Sequence, residues 1–106
     1  MNMGIIRGIL EEELDRLKEL EVFYKEKIGD SIRGSVSAKE RGGRKYLYLA
    51  YREGKKVVFE YVGKDEPEIR DALNERIRQR KEYQEKLRQV KENIKEVKRA
   101  LRRKRA

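Results

Sequence analysis

The stretch IRGSVSAKERGGRKYLYLAYREGKKVVFEYVG, residues 32–63, breaks into three short runs separated by two pairs of turn residues. Arg33–Lys39, Lys45–Tyr51 and Lys56–Val62 each alternate in character, and β-branched and aromatic residues fit a pleated surface. Gly42-Gly43 and Glu53-Gly54 between them suit tight hairpins, because glycine reaches positive φ without steric cost. The spacing predicts a three-stranded antiparallel β-meander. Four of the six tyrosines fall here, with eight Lys/Arg against three Glu. Such a segment is either a basic aromatic reader of nucleic acid or a small core.

Alternation divides each run between two faces. The second run sets Tyr46, Tyr48 and Ala50 against Leu47, Leu49 and Tyr51. The third sets Val57, Phe59 and Tyr61 against Val58, Glu60 and Val62, and the first sets Gly34, Val36 and Ala38 against Arg33, Ser35, Ser37 and Lys39. A three-stranded sheet is well covered on one side only. Either the Leu47/Leu49 side or the Tyr46/Tyr48 side therefore packs on the rest of the chain.

On both sides of the meander the apolar period changes from two to about 3.6. Ile6, Leu10, Leu14, Leu17, Leu20, Tyr24 and Ile28 recur at steps of three and four, which predicts a helix over 5–28. Gly29 stands where a C′ glycine belongs, and Glu11, Glu12, Glu13 and Asp15 lie early, on the side the helix dipole favours. A second, longer helix is predicted over 66–104. Asp65 and Glu68 are spaced as in a capping box, with Pro67 in the first turn. Its stripe runs Ile69, Leu73, Ile77, then Tyr83, Leu87, Val90, Ile94, Val97 and Leu101. From Tyr83 the steps alternate four and three, a heptad seam. The phase slips across Arg78–Glu82, where an irregularity or a change of packing partner is expected. A lone amphipathic helix is marginal in water, so the two helices should pair antiparallel. The fold class is α+β: an antiparallel coiled-coil hairpin of two long helices with the meander between them, a single elongated domain over 1–106. Set against the shorter first helix, the second leaves Val90 onward without cover, which points to a homodimer through that seam.

Composition narrows the function. Among 106 residues there is no Cys, His or Trp, and 46% are charged. Disulfides and ordinary zinc sites are excluded. The commonest general base and the thiol nucleophile are missing, so the chain is read as not an enzyme, with no cofactor and no metal. No run approaches 18 apolar residues and no signal-peptide pattern opens the chain, so no membrane span and a cytoplasmic location are expected. Abundant Glu, Lys and Arg without Cys has a thermophilic cast. The net charge of +9 is uneven: residues 1–30 carry −3, 31–63 carry +5 and 64–106 carry +7. The asymmetry suggests a nucleic-acid partner or an acidic protein partner, and an acidic first helix packed against the basic second one.

Two basic clusters could hold phosphates. Arg33, Lys39, Arg41, Arg44, Lys45, Arg52, Lys55 and Lys56 gather on strand ends and turns, with Tyr46 and Tyr48 available to hydrogen-bond phosphate or stack on a base. Arg99, Arg102, Arg103, Lys104 and Arg105 form a second cluster at the end of the long helix. The structural alternatives are tyrosines packed on helices, lysines protecting sheet edges and a basic tail that only complements the helix dipole.

The runs Gly34–Ser37, Gly43–Val57 and Tyr61–Lys64 resemble small prokaryotic proteins in which a tyrosine-rich meander sits between two coiled-coil helices. They also resemble, more loosely, the three-stranded amino-terminal DNA-binding domain of tyrosine recombinases. That second resemblance implies a sheet placed in the major groove of DNA. It departs in having a helix of about 40 residues after the sheet and no recombinase catalytic domain. The expected function is non-catalytic DNA binding, as in a mobile element, a virus or a small regulatory operon. The alternative is a coiled-coil adaptor, assembly or antitoxin-like module with the sheet as its partner surface.

Overall fold

The computed structural model describes residues 3–103, in the order α1 (Met3–Gly29), β1 (Ser35–Arg41), β2 (Arg44–Glu53), β3 (Lys56–Lys64) and α2 (Pro67–Arg103). The predicted class holds: two long helices flank a three-stranded antiparallel sheet of order β1-β2-β3. Contacts gather into two compact units. One holds α1 with α2 from Glu82 onward; the other is Ser31–Lys81.

In the first unit the predicted stripe of α1 is the packed one. Leu17 is buried with Val90 and Ile94 of α2, and Leu14, Leu20, Tyr24 and Val97 close around them. Tyr24 meets Tyr83 at one end, with ring centroids 6.2 Å apart, and Arg7 donates to the Leu101 carbonyl at 3.4 Å at the other. The helices thus run antiparallel, acidic against basic as the charge asymmetry implied. The seam is covered from Tyr83 to Leu101, so the expected bare stretch from Val90 onward is not there. The first fifteen residues of α2 belong with the sheet, which leaves a length that α1 matches. Burying this seam needs no second copy.

The phase slip falls at that change of partner, and α2 runs through it unbroken. Arg80 fills the skipped position, half-buried, with Nη1 3.2 Å from the Ser31 hydroxyl. Three local expectations are corrected. Gly29 ends α1 without a positive φ. Because α1 begins at Met3, Glu11–Glu13 lie beyond its first turn and the dipole does not reach them. At the start of α2, Glu66 takes the N-cap place, its carbonyl accepting from Arg70 N–H at 2.9 Å. Asp65 instead receives both Arg70 guanidinium donors, at 2.9 and 2.7 Å. That bond, first among the causes, holds the Asp65 carboxyl below its ordinary pKa.

In the second unit each hairpin closes on a two-residue loop. Arg41 pairs with Arg44 across Gly42-Gly43, both at positive φ, as a type I′ turn requires. Glu53 pairs with Lys56 across Gly54-Lys55, with only Gly54 at positive φ, so the loop sits one residue later than predicted. Leu47 and Leu49 are buried, and Leu73 of α2 is buried with them. Val62 bulges out of register with Leu47 and Tyr48, and Gly63 opposite Leu47 lets Ile69 approach closely.

Gly34 leads into β1 at φ +113°, and a Cβ there would stand 2.4 Å from the Ala50 carbonyl oxygen, which is backbone and cannot turn aside. Gly34→Ala is expected to cost about 3 kcal/mol, combining unfavourable φ with the clash. Gly42→Ala, at φ +56° with open space around it, should cost only about 1 kcal/mol. Urea denaturation midpoints of the two variants would check the order.

Candidate functional site on the open sheet face

Cross-strand pairing sorts the meander into two chemically different faces. Paired residues share a face. Tyr46 pairs with Lys39 and Lys64, Tyr48 with Ser37 and Tyr61, Ala50 with Ser35 and Phe59, Arg52 with Val57, and Arg44 with Arg41. This face carries Lys39, Arg41, Arg44, Arg52 and Lys64 and no carboxylate. The other carries Leu47, Leu49 and Tyr51 together with Glu40, Glu53 and Glu60, all three acids of the meander. The leucine face is the one that is covered. The tyrosine face is open: Phe59 is 45% and Tyr61 60% exposed.

The open face is built around rings. Tyr61 lies between Tyr46 and Tyr48, its centroid 6.2 and 5.6 Å from theirs. The Lys39 ammonium sits 3.8 Å from the Phe59 centroid and 5.0 Å from that of Tyr48. Arg41, Tyr46, Tyr48 and Tyr61 line a hollow of about 430 Å³. Arg41 opposite Arg44 is a like-charge pair, which costs the sheet stability. None of the five cations on this face pairs with a carboxylate among the described residues.

Of the residues singled out in the sequence, Lys39, Arg41, Arg44, Tyr46, Tyr48 and Arg52 come together here. Lys45 and Lys56 belong to the opposite face, paired with Glu40 and Glu53, and Lys55 lies in the second turn. Arg33 stacks over the Tyr51 ring, 4.7 Å from its centroid, on the covered side. The Tyr51 hydroxyl donates to Glu60, which raises the tyrosine pKa above its ordinary value. Arg99, Arg102 and Arg103 fall in the last turns of α2, in the other unit, where Arg102 borders a shallow hollow with Arg7, Lys98 and Leu101. Lys104 and Arg105 lie outside the described residues. Sequence reading omitted Phe59, Tyr61 and Lys64 from the site. Parity alone put Phe59 and Tyr61 on one face, but only the register, with its bulge at Val62, brings Lys64 beside Tyr46.

A larger apolar cleft of about 510 Å³ lies on the covered side, among Leu49, Val62, Ile69 and Leu73. Its wall sets Glu60 and Glu68 against one cation, Arg76, so it suits a polyanion less than the open face does. Among the described residues, no cluster of three His, Cys, Asp or Glu could hold a metal ion, and no helix is long and apolar enough to cross a membrane.

Fold and face together define a class: a helix–meander–helix chain of α+β type whose sheet keeps one cationic, aromatic face open. The chain belongs to the DUF6788 family, a domain of unknown function, whose family model matches residues 6–71. That span takes in the whole sheet and only the start of α2, so the open face lies inside the family segment and Arg99–Arg103 outside it. No curated protein and no solved structure matches the chain.

Proposed function

We propose that this is a non-catalytic DNA-binding protein that lays the open face of its sheet on nucleic acid. The sorting of charge carries this reading: five cations and no carboxylate on the tyrosine face, with all three acids turned to the other. A structural sheet surface gains from mixing signs, as cross-strand pairs of opposite charge stabilise it. A face with cations only, Arg41 beside Arg44, complements a polyanion instead. The adaptor reading keeps one observation of its own, the exposed Ile5, Ile9, Val22 and Phe23 of α1.

The test is fluorescence anisotropy with labelled DNA at low salt. Arg41→Gln with Arg44→Gln should weaken binding at least about tenfold, since each removes a charge-assisted hydrogen bond to phosphate. Arg99→Gln with Arg102→Gln and Arg103→Gln should weaken it less. No binding at low salt would sink the DNA reading, because a chain of net charge +9 should then show at least non-specific affinity. Loss confined to the helix-end variant would move the site to α2.

A further inference from the structure

We infer that the nucleic acid this face takes is single-stranded, a base stacking on the ring of Tyr61; the inference rests on the DNA-binding reading above. Arg and Lys can read guanine in a duplex, but reading adenine or cytosine at base edges takes Asn, Gln, Asp or Glu. The open face has no Asn, Gln, Asp or Glu among its strand positions. What it offers between its cations is aromatic surface. A base presents a ring face for stacking only when it is unpaired.

The exposure pattern fits. Tyr61 is 60% exposed and Phe59 45%, while Tyr46 and Tyr48 are half-buried beside Tyr61. Exposed rings beside a covered leucine core do not contribute to the core, and in water they carry a hydration cost that a stacked base removes. Lys39 adds the link between phosphate and base. Its ammonium already rests over the Phe59 ring at 3.8 Å, so a phosphate drawn to it places the attached nucleotide at the rings. Alternating cations and rings is the arrangement by which single-strand binders grip sequence-tolerantly, over about 4–16 nucleotides.

The experiment compares three labelled probes of about 12 nucleotides at one salt concentration: oligo-dT, its duplex with oligo-dA, and an abasic strand of equal charge. Oligo-dT is expected to bind at least about tenfold tighter than the abasic strand and tighter than the duplex. Tyr61→Ala should cut oligo-dT affinity about 5- to 150-fold and leave abasic affinity unchanged. Tyr61→Leu, which keeps apolar cover, should lose the affinity equally, with circular dichroism confirming the fold. The chain has no Trp, so tyrosine emission can be followed directly, and oligo-dT should quench it less in the Tyr61 variants. Equal affinity for oligo-dT and the abasic strand, or unchanged binding in both variants, would overturn stacking while leaving DNA binding intact. Failure of all three probes at low salt would overturn the DNA-binding reading itself.

Discussion

Leu47→Ala is expected to destabilise the protein by about 3–4 kcal/mol, within the range for truncating a fully buried leucine. Leu47 has no exposed surface, and among the described residues of its unit the only other buried side chains of the core are Leu49 and Leu73. So small a core has few neighbours able to collapse into the cavity, which keeps the cost off the low end of the range. For a chain of this length total stability is about 5–15 kcal/mol, so the loss is a large share of it. Tyr48→Ala removes more atoms one position along the same strand, yet should cost only about 1 kcal/mol, because its ring is half-buried on the open face. Urea denaturation with an unchanged m-value would measure both. A Tyr48 variant as unstable as the Leu47 variant would mean that the tyrosine face carries the core.

That contrast marks how much the amino-acid sequence disclosed. Periodicity identified both helical stripes residue by residue, because every stripe position is one that a helix must bury. Alternation separated Leu47 and Leu49 from Tyr46 and Tyr48, but alternation is symmetric and does not say which side is covered. Coverage is a tertiary fact: it depends on Ile69 and Leu73 of α2 and on Gly63, whose missing side chain lets Ile69 close in. The error over the bare seam came from measuring all of α2 against α1. The slip at Arg78–Glu82 held the correction, since it divides the turns that serve the sheet from those that serve α1. The site was half legible. Cation density in the meander was plain, but Lys45 and Lys56 could not be told from Arg44 and Arg52 without the register, and Lys64 joins the face only through the Val62 bulge.

Neutralising the open face should flatten the salt dependence of DNA binding. Each phosphate neutralised contributes about 0.7 to the slope of log K against log salt on a single strand, so Lys39, Arg41, Arg44, Arg52 and Lys64 together predict a slope near −3.5 from this face. Between about 50 and 200 mM salt that corresponds to a loss of affinity of about 100-fold. With all five replaced by Gln, the slope should fall by about 3.5. What binding remains would reflect the other cations of a chain that still carries excess positive charge. The matched control is Lys45→Gln with Lys56→Gln, two cations on the opposite face beside Glu40 and Glu53, which should leave the slope within about one contact of its original value. Glutamine keeps the first two methylenes of each stem and a polar end, and all five residues lie toward the side away from the leucine core, so folding should persist and can be checked by circular dichroism. If the five substitutions leave the slope unaltered, the face is not the contact, whatever its charge. If the control pair alters it as much per charge removed, the binding is diffuse attraction to net charge and the sorting of acids from cations across the sheet has no part in it.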